Sequence, residues 1–173
     1  KPLAMALMSG RKDVSFTSVY GPVAKEISFE YDLFLQTLDN GYRADLCAWQ
    51  WNRKSRPLTS GRIKTAIRAR YGWQAAGVAV VAGESYDFAA EGKWKIAQDG
   101  AAYDANGDLQ KRGRLVAIVF SDFKLSAPFE LGKRANFKAP ASGDLFLRCS
   151  DDWNSLEDNS GELTVYLRRS SME

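Results

Sequence analysis

Histidine is missing altogether from these 173 residues. Its absence removes the commonest general base and zinc ligand, and excludes any Ser/His/Asp or Cys/His nucleophile set. Neither G-x-x-x-x-G-K-[ST] nor G-x-G-x-x-G occurs, so a phosphate-cradling loop is excluded too. No apolar run is long enough to span a membrane. Excess charge is scarce: 24 basic and 21 acidic residues leave a net +3, too mild to argue for nucleic acid as a partner. Only two cysteines are present, Cys47 and Cys149. A disulfide between them would close a loop of about a hundred residues and stabilise by several kcal/mol in the chain-entropy picture. Two buried free thiols fit equally well. The chain starts at Lys1 without an initiator Met, which suits a processed leader and a secreted, periplasmic or cell-surface location.

What is present is a globular composition, 45% hydrophobic and 26% charged, with 12% aromatic residues including five Trp. Such a chain buries a sizeable core and leans toward β structure. The dominant pattern has period two. In "EISFEYDLFLQTL", Ile27, Phe29, Tyr31, Leu33 and Leu35 fall on one face of a strand, and Ser28, Glu30 and Asp32 on the other. "GYRADLCAWQW" follows across the turn "DNG" at 39–41, a hairpin signal. "GVAVVAG", "SYDFAAEG", "GRLVAIVF", "DLFLRC" and "ELTVYLRR" are further strands, separated by Gly-, Pro- and Asp-rich turns. The expected fold is an all-β sandwich. "SGRIKTAIRARYG", 60–72, fits either a helical face or a strand, and a strand or short connector is favoured. It is also the most basic segment, with Arg53, Lys54 and Arg56 just upstream: either a solvated surface or a patch for an anionic partner. The first ten residues show no alternation and read as a loose tail.

The acidic segment between "DLFLRC" and "ELTVYLRR" is the strongest chemical signal. Ser150 to Gly161 holds four carboxylates and two asparagines without one Lys or Arg. Crowding Asp151, Asp152, Glu157 and Asp158 costs Coulomb repulsion unless water or a cation screens them. Calcium takes about six to eight oxygens from carboxylates, amides and main-chain carbonyls, and all three kinds are on offer here. The EF-hand spacing is absent. A solvated turn built from Asp and Asn as turn formers is the competing account.

The run from "GRLVAIVF" through "APASGDLFLRCSDDWNSLEDNSGELTVYLRR" resembles the C-terminal half of the PA-IL-like galactose-binding bacterial lectins. The shared features are an acidic or amide loop ending N-N-S-G, here Asp158-Asn159-Ser160-Gly161, and a following strand of the form S-F-S-V, here "ELTV". With "GVAVVAGESYDFAAEGKWKI" upstream, the resemblance covers about residues 72–169. It implies a jelly-roll β-sandwich of the galactose-binding-domain type over 66–173; residues 1–65 lie outside it, and their alternation and hairpin signal suggest an N-terminal β extension packed on the sandwich. It implies one calcium held by the Asp151, Asp158 and Asn159 side chains and by the Ser155 and Ala97 carbonyls. Asp151, Asp158 and Asn159, with Asp152 and Ser155 beside them, would meet the hydroxyls of a galactose-like sugar. An assembly of several copies is the family habit.

This chain departs from the family pattern at Asp158, where the family has Asn, and in "QDGAAYDANGDLQKRGR", which is shorter than its family counterpart and lacks the family's sugar-contacting His. Trp153 has no family counterpart; it either stacks on a sugar face or packs down as a loop anchor. The expectation is therefore calcium-dependent carbohydrate binding without catalysis. A non-catalytic scaffold domain with a structural calcium or none is the alternative. A glycan-active enzyme using Asp151 and Asp158 is a weaker third, because the metal claims the same carboxylates.

Overall fold

The computed structural model describes residues 15–38 and 54–170, together with Met5 and residues 8–10. The protein is a sandwich of two sheets with a helix on one outer face. Its strands are β1 (Arg56–Pro57), β2 (Arg62–Arg68), β3 (Gln74–Val80), β4 (Ser85–Lys95), β5 (Ala102–Tyr103) and β6 (Leu115–Ser121). They continue with β7 (Lys124–Leu125), β8 (Phe129–Glu130), β9 (Arg134–Lys138), β10 (Gly143–Cys149) and β11 (Ser160–Arg169). Sheet A has the order β1-β3-β10-β6-β7, with β8 also on β6. Sheet B has the order β2-β11-β4-β5, with β9 also on β4. All pairings are antiparallel except β1 with β3.

Period-two alternation builds the space between the sheets. Leu163, Val165 and Leu167 of β11, Tyr86, Phe88 and Ala90 of β4, and Leu145, Leu147 and Cys149 of β10 all point inward and are buried. Each large aliphatic side chain removed from water there contributes on the order of 1.5–3 kcal/mol. The ambiguous segment 60–72 forms β2, antiparallel to β11 from Arg62↔Arg168 to Arg68↔Glu162. This strand runs across position 65, the suggested division between extension and sandwich.

"LVAIVF" of β6 does not alternate, and its burial explains why. Leu115, Ala117 and Val119 face the sandwich core, while Ile118 and Phe120 lie in a second cluster on the outer face of sheet A with Trp73, Ala75 and Phe146. A strand covered on both faces reads as a continuous apolar run. The cover is the N-terminal region, and it corrects the expected strand. "EISFEYDLFLQTL" is helical: α1 (Phe16–Tyr20), a 3₁₀ turn (Gly21–Val23) and α2 (Ala24–Leu38) follow one another. Ser15 starts α1 with a reciprocal capping box, its side chain accepting from the Ser18 amide at 3.1 Å while the Ser18 hydroxyl oxygen accepts from the Ser15 amide at 2.9 Å.

The alternation between residues 27 and 35 is real but secondary. Fifteen residues without Gly or Pro far exceed the usual strand of about 5–6 residues, and Lys25, Phe29 and Leu33 recur at the helical i, i+4 spacing. Phe29 is buried, with its ring 5.2 Å from Phe120 and 6.2 Å from Phe123. Lys25 pairs with Asp122 at 2.6 Å, but both side chains are well exposed, so the pair adds little and Phe29 is the anchor. The hairpin expected around "DNG", with "GYRADLCAWQW", lies outside the described residues, as does Cys47. Cys149 is a free thiol in the core, its pKa pushed up to about 12 mainly by burial and then by nearby Asp151. Among the described residues no helix is long and apolar enough to cross a membrane.

Candidate functional site

β10 delivers the chain into the acidic segment and β11 takes it away, so the segment sits at one end of the sandwich between the two sheets. Its middle is a 3₁₀ turn, Trp153–Asp158, anchored by the fully buried Leu156. The D-N-S-G exit has a local cause. The Asn159 Nδ2 donates to the Ala69 carbonyl at 3.3 Å, and the Ala69 amide donates to the Gly161 carbonyl at 3.0 Å. These bonds clasp the loop exit to the end of β2. Gly161 has φ +87°, and a Cβ there would lie 2.8 Å from the Lys93 carbonyl oxygen, so glycine is required at that close approach.

Two oxygens of the loop stand out. Asp151 Oδ2 and Asn159 Oδ1 are both buried and accept no hydrogen bond. An orphaned buried oxygen costs about 1–3 kcal/mol, more when charged, so two on one loop call for a common explanation. The other Asp151 oxygen accepts from the Asp152 amide at 2.9 Å. Burial pushes the Asp151 pKa up, and the negative charges of Asp152 and Asp158 push it further. The Asn159 side chain and the Asp152 amide partly offset this, although the Asn159 amide spends its one well-formed hydrogen bond on Ala69.

Asp151 and Asp158 are therefore electrostatic neighbours, and Asp151 and Asn159 offer inward-facing oxygens. Asp152, Asp158 and Glu157 are exposed, and Ser155 lies within the 3₁₀ turn. Ala97 lies two residues beyond Lys95, the partner of Ser160, so the β4–β11 ladder leads it toward the loop exit. Its carbonyl also accepts from the Gly100 amide at 3.1 Å. Among the described residues no three carboxylate or thiolate side chains converge on one point. A cation here would rely on two carboxylates supplemented by amide and main-chain oxygens. That donor set fits a hard ion such as calcium and does not fit zinc or copper.

Arg148 is a site residue that sequence reasoning missed. It is only 6% exposed, on the outward face of β10. Its Nε donates to the Cys149 carbonyl at 2.9 Å, and its terminal nitrogen donates to the Asp151 carbonyl. Its guanidinium lies 3.9 Å from the Trp153 ring centroid and 5.5 Å from that of Trp73. One face of Trp153 is thus taken by Arg148, and the Asp151 carbonyl is already in use. The lone Arg after the apolar "DLFL" was the available signal.

The shortened segment that lacks the family's His, residues 98–114, is the loop's companion and stands beside it. The Gly113 amide donates to the Ser150 carbonyl at 2.6 Å, and the Ser150 amide donates to the Arg114 carbonyl at 2.7 Å. Trp94, buried, donates through Nε1 to the Gly113 carbonyl at 2.7 Å. Asp108 folds this segment on itself by accepting from the Gln110 and Arg112 amides, both at 2.9 Å. Between the two segments lies an open depression of about 260 Å³ whose lining includes Gln110, Lys111, Arg114, Glu130, Asp151 and Asp152.

No protein-family model and no curated protein matches the chain. Among solved structures it aligns with the EclA N-terminal domain, described as a PllA-like lectin, at 23% identity and a TM-score of 0.49. That alignment covers 62% of this chain and 95% of that one. The chain is similar in structure to a PllA-like lectin. A weaker similarity links it to the SPBc2 prophage-derived protein YomS, at 11% identity and a TM-score of 0.22, over 65% of this chain and 96% of that one.

Proposed function

We propose that this protein is a calcium-dependent carbohydrate-binding module, with a galactose-like sugar as first ligand. The observation that carries the proposal is the pair of buried, unpartnered oxygens on Asp151 and Asn159, in the loop whose sequence resembles the PA-IL-like lectins. Asp151, Asp158 and Asn159 would hold the ion with the Ser155 and Ala97 carbonyls. When bound, calcium offers open coordination positions to vicinal sugar hydroxyls. The carboxylates of Asp151 and Asp158 would accept the hydroxyl protons as charge-assisted hydrogen bonds. Gln110 and Lys111, from the segment that lacks the family's His, line the depression beside Asp151 and Asp152 and would supply polar contacts of a different kind. The sugar preference would follow from that difference.

The test is calorimetric titration of EDTA-stripped protein with calcium, followed by galactose. Calcium should release heat and raise the melting temperature, and galactose should bind only afterwards. No heat and no thermal shift at about millimolar calcium would overturn the reading.

A further inference from the structure

The basic segment singled out in the sequence does more than clasp the acidic loop through the Ala69 backbone. It forms β2 and joins the outer face of sheet B, where the pairing register lays side chains in rows. One row reads Lys64, Tyr166, Ala89 and Arg134, and the next reads Arg62, Arg168, Asp87 and Asn136. Ala89 is the small residue between taller neighbours. Above it lies a depression of about 290 Å³ lined by Arg62, Arg134, Tyr166 and Arg168, with Asp87 at its edge. That volume stands at the small end of ligand pockets, about 300 Å³.

Two of the three guanidinium groups are held in place. Asp87 accepts from Arg168 Nε at 3.0 Å, and its other oxygen accepts from Asn136 at 2.8 Å and Ser170 at 3.0 Å, so its own capacity is spent. Arg62 lies 3.9 Å from the Tyr166 ring centroid. Arg62 and Arg134 make no ion pair among the described residues, and both are exposed. Three arginines against one carboxylate leave a local excess of positive charge facing solvent, and arginine forks match oxyanions bidentately.

We propose that Arg62, Arg134 and Arg168 over Ala89 form a second, calcium-independent subsite for a sulfate or carboxylate group of an acidic saccharide. The face suits one discrete anionic group better than a nucleic-acid strand. One face of Tyr166 is already covered by Arg62, which removes a stacking platform, and Glu91 and Glu162 interrupt the basic rows farther along the strands.

The full chain, kept in EDTA so that the acidic loop plays no part, would be titrated with a heparin-derived hexasaccharide. Binding should be measurable and should weaken as salt rises. R62Q/R134Q should lower affinity by about tenfold or more with an unchanged melting temperature. Ala89→Glu, which leaves all three arginines and places a carboxylate among them, should weaken binding likewise. The proposal is overturned by no binding, by unchanged affinity in both variants, or by equal binding of neutral maltohexaose. It is also overturned if a single-stranded oligonucleotide of matched charge binds as tightly and loses affinity in the same variants.

Discussion

Asp151 bears two costs of ionisation that act in the same direction. Its carboxyl is half-buried, and two further acids stand close, so ionisation is disfavoured. The sign of the consequence follows from a folded-state pKa raised above the unfolded value. Native protein binds more protons in that window, so without metal its stability falls as pH rises through it. Asp151→Asn is therefore expected to raise the melting temperature of calcium-free protein at neutral pH, and to abolish the calcium-induced rise. Differential scanning fluorimetry with calcium and with EDTA reads both. Loss of the calcium response without the apo gain would mean that the Asp151 charge is not the buried liability described. At the loop exit, Gly161→Ala must place a Cβ against the Lys93 carbonyl at positive φ. A loss of about 1–3 kcal/mol in urea unfolding is expected.

At the scale of elements, the helix and the acidic loop depend on different faces of β10. Leu145, Leu147 and Cys149 hold the sandwich, while Phe146 and Arg148 face the cover and the loop entrance. Phe29→Ala removes the helix anchor and is expected to cost about 3 kcal/mol. In hydrogen exchange α2 should lose protection before sheet B does, because sheet B has its own core contacts. Equal loss in both would show that helix and sandwich open as one unit. Trp94→Phe tests the link between β4 and the companion segment. Losing the bond to the Gly113 carbonyl should cost about 1–3 kcal/mol. It should also loosen residues 106–113 more than β10.

The whole molecule carries a second pH dependence, of opposite sign to that of Asp151. Asp87, Asp104, Asp122 and Glu130 sit below their ordinary pKa. The leading causes are the Asn136 amide for Asp87, the Asn106 backbone amide for Asp104, Lys25 for Asp122 and Lys111 for Glu130. Groups depressed in this way stabilise above their unfolded values, 3.8 for Asp and 4.5 for Glu, and lose that contribution as pH falls through the folded pKa. Acid titration of calcium-free wild type should show a loss of melting temperature below about pH 4, with a shallow decline above the unfolded Asp value of 3.8 as pH rises through the raised Asp151 pKa. That decline should vanish in Asp151→Asn while the acid limb stays. Wild type with saturating calcium should lose it too, because the ion balances the ionised carboxylate.

Local chemistry made part of this protein legible without coordinates. Short apolar runs between Gly-, Pro- and Asp-rich turns marked β4, β10 and β11 as strands, because turn formers punctuate a chain whatever each strand's partner is. The loop from Ser150 to Gly161 announced its oxygen donors by composition alone. Tertiary structure decided the rest. Residues 27–35 satisfy a period of two inside a 15-residue segment that also carries a helical spacing, and the apolar outer face of sheet A, which receives Phe29, stabilises the helix. Arg148 became a buried clamp because Trp73 and Trp153, 80 residues apart in sequence, meet around it. The orphaned oxygens of Asp151 and Asn159 exist because β2 takes the Asn159 amide through Ala69 and leaves its carbonyl oxygen inward. Sequence patterns specify which face a residue shows; what covers that face depends on contacts between distant segments, which no local period encodes.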